Sequence, residues 1–414
     1  MRQPTATNGG RRGPAPSRRV LIIGAGRGQV GLIRAVQRLG ATAVVATRRN
    51  AHLPGLAEAD EILEVDLLAT DEVVARACAA RVDAVAACCM DTGLEALGAV
   101  VDDLGLRGIS RDAARLCIDK LDMKRRLAAA GVPTAEFVAV RNRHEVAAAL
   151  KVTGLPAVVK ATDRQGSAGV LRVHTVDEAR AAFDHAARAS RSGRVIVERF
   201  LQGREFGAQA LMHDGQLLHV TLHGDDLAPG LTPVPVGHHA PIAAEAAVRR
   251  RSLDVVAQAV AALGLDNCAV NLDLMASHDD VHVIELTGRA GANGLPEIIG
   301  AHHGLDYYEV IAREALDLAV AQTWAARKPW PGVVLAHMIV DPAARGVVTR
   351  VRRPAAVPDW VTDLRLFVAA GDVLRGFRSS ADCIGQVVVR GADLAECRER
   401  ARGVADQIIV ETGG

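Results

Sequence analysis

The first seventeen residues are polar and rich in Gly, Pro and Arg, with no apolar segment that could join a core. They are expected to form a disordered tail, residues 1–17. The first apolar run, VLII at 20–23, passes straight into glycines, which is not the pattern of a secretory leader. From Arg18 short β-rich runs alternate with segments of helical spacing: RVLIIG, a helix from Gln29, TAVVAT, EILEVDL, a helix from Thr70, DAVAACC and a helix from Gly93. Strands separated by helices predict a parallel, doubly wound α/β domain over residues 18–112.

The pattern then changes. A helix is predicted from Ile118 to Ala130, stopped by Gly131-Val132-Pro133. The runs AVVKAT, GVLRVH, RVIVERF, EFGAQALM and QLLHVTLH follow closely enough to pair with their neighbours, which predicts an α+β region on antiparallel sheet. A long helix, Ala243 to Leu263, precedes a hairpin, CAVNLDLMASHDDVHVIELTGR. These elements define a second region, residues 113–327, in two subdomains. Residues 328–414 form a small α+β segment with one helix near Ala392 to Ile408.

Composition narrows the classes. At 414 residues the chain is too long for one core, and roughly two to four domains are expected. A formal net charge of +1 argues against a nucleic-acid partner, and no apolar run is long enough to span a membrane. Seven scattered Cys without a CxxC suit a reducing, cytoplasmic setting. Of the 49 basic residues only five are Lys: Lys120, Lys124, Lys151, Lys160 and Lys328. Where Arg serves almost everywhere, a retained Lys is a candidate for a site that needs a compact ammonium. Three of the five are expected to be plain surface charge.

Four constellations carry chemistry. The first, GAGRGQVG at 24–31, lies between a strand and a helix, with Gly26, Gly28 and Gly31 at dinucleotide-fingerprint spacing. No acidic ribose ligand ends the second strand, although Arg48 and Arg49 would suit a 2′-phosphate. A nicotinamide site, a substrate-facing loop and a tight turn all remain open. The second is a buried strand that delivers Lys160 into a small-residue loop, Asp163 to Gly169. Such a loop can fold its N–H groups over phosphates while the Lys neutralises them, or it can be a flexible hairpin loop. The third places Glu198 and Glu205 around a turn, where they can accept from an adenine amino group and ribose hydroxyls while backbone at Arg199 to Leu201 reads the adenine edge. Two solvated carboxylates are the alternative.

The fourth is the hairpin. A turn at His278-Asp279-Asp280 sets Asp273 opposite Glu285 and Asn271 opposite Thr287, all on one face. Directly opposed carboxylates destabilise a sheet, and a hard divalent cation such as Mg²⁺ relieves that conflict. A shifted register would leave both acids in water. His238 and His239 in VGHHAPI line a substrate pocket or are simply satisfied histidines.

Taken in order, these features resemble the ATP-grasp superfamily, in particular its carboxylate–amine ligases. The resemblance spans nearly the whole chain after the tail. It rests on Asp119-Lys120 with Met123-Lys124, GVP at 131–133, Lys160, the loop at 166–169, Glu198 with Glu205, and Asp273 with Glu285. It implies ATP and Mg²⁺, or Mn²⁺ in its place, as cofactors. Lys120 and Lys160 would contact phosphates, with Gln165, Gly166, Ser167 and Gly169 closing over them. Glu198, Arg199, Leu201 and Glu205 would hold adenosine, and Asp273 and Glu285 the metal. Arg289 would join Lys160 in catalysis by meeting the transferred phosphate or a substrate carboxylate. The family usually carries Asn where Thr287 stands, and Gly288 replaces a common Pro; Asn271 is a candidate to supply the missing amide oxygen. The implied reaction joins a carboxylate to an amine through an acyl phosphate, with small-molecule partners and a homodimer as one assembly. The alternatives are a purine-pathway-like enzyme using formate or bicarbonate, an NADP-dependent oxidoreductase built on GAGRGQVG, and a silent nucleotide sensor.

Overall fold

The computed structural model describes residues 17–48, 53–166, 168–227, 235–277 and 280–413. The expected tail, apart from Ser17, lies outside the described residues, as do Arg49, Ser167, His278 and Asp279. The first unit carries strands β1 (Arg19–Ile23), β2 (Thr42–Thr47), β3 (Glu61–Glu64) and β4 (Ala84–Ala86), with helices α1 (Arg27–Arg38), α2 (Thr70–Ala79) and α3 (Leu94–Leu104). The strands form a parallel sheet in the order β3-β2-β1-β4. Both faces of β1 are buried: Leu21 and Ile23 enter one core and Val20 and Ile22 another, as a covered parallel strand requires. Helix α1 begins two residues before the expected Gln29, because the Gln29 side chain folds back and accepts from the Gly26 N–H at 2.8 Å.

The helix expected over 118–130 is α5 (Lys120–Ala129); Ile118 instead ends a preceding helix, α4 (Arg111–Ile118), and Asp119 separates the two. The Asp119 carboxylate caps α5 by accepting from the N–H groups of Leu121 and Asp122, at 2.9 and 3.1 Å. This break places Lys120 on the first turn of α5. A four-stranded antiparallel sheet follows in the order β5-β8-β6-β7, from β5 (Phe137–Val140), β6 (Ala157–Ala161), β7 (Val170–Val173) and β8 (Val195–Arg199). Two helices absent from the sequence reading, α6 (Val146–Thr153) and α7 (Val176–Ala189), cover it.

The largest sheet is built from β9 (Arg204–His213), β10 (Gln216–Leu227), β11 (Pro235–Ala240), β12 (Cys268–Ala276) and β13 (Val281–Thr287), with helix α8 (Ala246–Leu263) beside it. Helices α9 (Leu295–His303), α10 (Tyr307–Ala315) and α11 (Val320–Ala325) lead to β14 (Val333–Ile339) and β15 (Arg345–Arg352), then β16 (Val361–Leu366), β17 (Val373–Arg375), β18 (Gly385–Gly391), α12 (Leu394–Ala405) and β19 (Ile409–Gly413). The sheet runs β13-β12-β9-β10-β11-β14-β18-β16, so three strands from beyond residue 328 extend it rather than form a detached layer. A small sheet, β17-β15-β19, closes the chain. Among the described residues no helix is long and apolar enough to cross a membrane.

Candidate functional site

The register of the β12–β13 hairpin is the one that opposes like charges. Asn271 pairs with Thr287 and Asp273 with Glu285, while Val270, Leu272 and Leu274 are fully buried on the other face. The expected three-residue turn is corrected. Ser277 N–H donates to Asp280 O at 2.9 Å, so the loop is one residue shorter, and a β-bulge between Asp273 and Leu274 restores the pairing at the acids. Burial, and then the facing Glu285 with Asp225 and Glu205, push the Asp273 carboxyl well above the usual range. A site of this kind fits a hard cation such as Mg²⁺, which would hold both carboxylates ionised.

Three lysines meet two carboxylates, Glu285 and Glu198. Lys120 Nζ lies 3.0 Å from Glu285 Oε2 and donates to Arg164 O at 2.8 Å. Lys160 Nζ lies 3.0 Å from Glu198 Oε2, and Lys124 Nζ 3.4 Å from the same oxygen. Lys124 is 1% exposed, and burial pushes its ammonium down to about 8. Only Lys151 and Lys328 are exposed, so two of the five lysines are plain surface charge, not three. For Glu198, burial alone would raise the carboxyl, but Lys160 and Lys124 together bring it below the usual range. Its other oxygen, Oε1, is buried without a hydrogen-bond partner, an acceptor of the kind an adenine amino group would use. Glu205 is exposed at the start of β9. In the segment at 199–201, the N–H of Arg199 already donates to Glu136 O at 2.8 Å and that of Phe200 to Pro156 O at 3.2 Å. Of the N–H groups expected to read an adenine edge, that leaves the one of Leu201.

The loop after β6 is anchored at both ends. Asp163 accepts from the N–H groups of Arg191 and Ser192 at 3.1 and 2.7 Å, and Ala161 N–H donates to Gly169 O at 2.9 Å. Between them Gln165 and Gly166 are exposed, and Gly166 has φ +60° with open space where a Cβ would stand.

Arg289 and Thr287 turn to a residue that the sequence reading missed. Arg289 donates from Nε and Nη2 to the two oxygens of Asp91, at 2.6 and 2.7 Å, and Thr287 Oγ1 donates to Asp91 Oδ1 at 2.8 Å. Burial would raise the Asp91 carboxyl, but Arg289, with Thr287 and Lys120, more than offsets this and lowers it. Asp91 follows β4, and Cys89 N–H donates to Ala290 O at 2.9 Å, which stitches the two chain segments together. Its position just beyond the carboxyl end of a parallel strand is the signal that could have found it. Gln209 Nε2 donates to the amide oxygen of Asn271, and Gln209 Oε1 in turn accepts from Gly291 N–H at 3.0 Å. Asp91, Lys120, Gln165, Glu285 and Thr287 line one cavity of about 210 Å³.

The glycine-rich segment lies elsewhere. Gly26 and Gly31 face a larger cleft of about 1770 Å³ between α1 and the strands beyond residue 340. Gly31 also serves packing, since a Cβ there would stand 2.4 Å from the Tyr308 ring. Arg48 is ion-paired with Asp66 instead of standing free for a 2′-phosphate. In that cleft Arg34 pairs with Glu58, Arg38 with Asp306, and Arg365 with Glu297 and Asp363. His238 and His239 are both buried, and His238 Nδ1 lies 2.7 Å from Asp225 Oδ1.

Comparison with known proteins matches this geometry to a family. Residues 118–228 match the model of the phosphoribosylglycinamide synthetase ATP-grasp (A) domain, and residues 338–413 match L-amino acid ligase C-terminal domain 2. The structure of phosphoribosylglycinamide synthetase from Anaerococcus prevotii is 35% identical and superposes with a TM-score of 0.84, over 96% of this chain and 100% of that one. Formate-dependent phosphoribosylglycinamide formyltransferase of Burkholderia pseudomallei is 28% identical over 94% of both chains. Alanine–anticapsin ligase of Bacillus subtilis is 27% identical over 47% of this chain, which spans 46% of that ligase.

Proposed function

The chain belongs to the ATP-grasp superfamily and is an ATP- and Mg²⁺-using enzyme of its carbon–nitrogen ligases, and on that premise we propose that it joins the carboxylate of one amino-acid-like substrate to the amine of another. A carboxylate oxygen attacks the terminal phosphorus of ATP, ADP leaves, and an acyl phosphate forms. The amine nitrogen then attacks the acyl carbon, phosphate leaves, and the amide forms with loss of one proton.

In this reading the protein contributes position and charge rather than a covalent nucleophile. Lys120 and Lys160 neutralise the phosphates, and the loop at 165–169 excludes water from the acyl phosphate. Glu198 Oε1 and Leu201 orient the adenine. Mg²⁺, held by Asp273 and Glu285, would neutralise the phosphate charge. Arg289, braced by Asp91, meets the carboxylate or the transferred group.

The single observation that carries the amino-acid assignment is the match of residues 338–413, some of which line the 1770 Å³ cleft, to an L-amino acid ligase domain. In that cleft Arg34, Arg38 and Arg365 each face a carboxylate, as a zwitterion's site would. Arg27, Arg353, Arg375, Arg378 and Arg390 line it without an ion pair among the described residues, so its charges alone do not separate an amino acid from a phosphomonoester. The purine-pathway reading keeps support from the whole-length similarity to the formyltransferase. ADP release over a panel of amino-acid pairs, with formate plus phosphoribosylglycinamide as the competing arm, tests the two. Turnover in the competing arm alone overturns the proposal.

A further inference from the structure

A second cluster of donors shares the face of the large sheet that carries Asp273. Pairing runs from Asp273 to Gly207 and from Gly207 to His223, so these three positions form a row across β12, β9 and β10. Two residues along β10, Asp225 pairs with His238 of β11. Alternation therefore sets His223, Asp225 and His238 on the same face as Asp273. The row has no side chain at Gly207, and a Cβ there would lie 2.1 Å from His223 Cε1. The His223 ring thus lies over the glycine, in space that any other residue would fill.

Both histidines are buried, His223 at 2% exposure and His238 at 5%. His238 Nδ1 approaches Asp225 Oδ1 to 2.7 Å, and His223 Nδ1 reaches the same oxygen at 3.5 Å. The three donor groups lie within 4.8 Å of one another. His238 and Asp225 alone would make a satisfied pair. His223 is the unexplained member, because both of its ring nitrogens are buried without a hydrogen-bond partner. Buried imidazole nitrogens are rarely left unpaired, and here they converge on a carboxylate and a second imidazole.

We propose that His223, Asp225 and His238 form a binding site for a borderline divalent transition metal, of which Zn²⁺ is the reference case, distinct from the Mg²⁺ carboxylates. Two imidazole nitrogens and one carboxylate suit Zn²⁺ and its neighbours, while Mg²⁺ prefers the all-oxygen set at Asp273 and Glu285. Three protein donors leave a coordination position open for water or an amine. The site stands one glycine away from Asp273 and does not depend on which substrates the enzyme joins.

The test uses the full chain, stripped with a chelator and dialysed into excess Mg²⁺. Calorimetric titration with Zn²⁺ should show one equivalent bound that Mg²⁺ does not displace. Co²⁺ should report the same stoichiometry by its visible spectrum. His223→Gln and His238→Gln should each weaken Zn²⁺ binding by at least about 100-fold, while Asp273→Asn should retain it. Thermal melts of each variant identify any that fail to fold, and the remaining one carries the comparison. Absence of a Zn²⁺ equivalent in the wild-type chain overturns the proposal and leaves a hydrogen-bonded His–Asp pair. Binding that survives both histidine substitutions, or that disappears with Asp273→Asn, overturns it as well.

Discussion

Replacing Asp91 by Ala should destabilise the protein and impair catalysis together. Asp91 and Arg289 are 15% and 12% exposed at their side chains, and the carboxylate accepts two hydrogen bonds from the guanidinium and one from Thr287. Removing one partner of a buried pair leaves the other charge unpaired, which costs about 3–5 kcal/mol. Asp91→Asn keeps an acceptor oxygen and loses the charge, so its cost should be smaller. Typical domains hold about 5–15 kcal/mol of stability, so both variants should fold. The unpaired charge is the source of the cost, so Asp91→Ala with Arg289→Met should be more stable than Asp91→Ala alone. Urea denaturation gives the stability order, and ADP release gives kcat and KM on the same samples. If Asp91→Ala lies within about 0.5 kcal/mol of wild type, as an ordinary surface change would, the pair does not hold Arg289. The brace would be refuted equally by a double variant less stable than the single one.

Four further outcomes follow from the geometry. Lys160→Ala should abolish ADP release and weaken ATP binding while the fold persists; wild-type binding and turnover would remove Lys160 from the phosphate site. Proteases should cut between Gln165 and Ala168, and Mg-ATP should protect that stretch; equal cleavage with and without nucleotide would contradict loop closure. Asn271→Ala should leave the Mg²⁺ titration of activity nearly unchanged, because Gln209 already takes the amide oxygen; a large increase in the Mg²⁺ required would make Asn271 a ligand after all. Burial pushes the His303 imidazole down to about 3, so between pH 6.5 and 3 the unfolded chain binds the extra proton and stability falls as pH falls. At about 1.4 kcal/mol per unit this one group costs about 2 kcal/mol at pH 5. His303→Gln should therefore lose less stability than wild type between pH 7.5 and pH 5, and equal losses would contradict the assignment.

The strands were legible because Val- and Ile-rich runs contrast with their flanks, and the pairing of Asp273 with Glu285 was legible because strand alternation leaves few ways to bury Val270, Leu272 and Leu274. That inference reached the right partners through a wrong turn, since the bulge after Asp273 offset the shorter loop. Helix α7 escaped notice because its buried face is Ala179, Ala182, Phe183 and Ala186, and alanine gives little hydrophobic contrast. The expected helix start at Ile118 falls one residue before Asp119, whose short carboxylate favours a cap. Asp91 meets Arg289 across 198 positions of sequence, and no local pattern encodes such a pairing. The same holds for Lys124 and Glu198, which lie on a helix and a strand far apart in the chain.

Conversion of a substrate carboxylate to an acyl phosphate leaves its mark in the oxygen atoms of the released phosphate. With the accepted amino acid labelled by ¹⁸O in its carboxylate, and with ATP, Mg²⁺ and the amine partner present, the released phosphate is analysed by mass spectrometry. ADP should be the nucleotide product and each phosphate should carry one ¹⁸O atom, because the attacking carboxylate oxygen leaves with phosphorus when the amine displaces it. Unlabelled phosphate, or AMP with pyrophosphate in place of ADP, would contradict it.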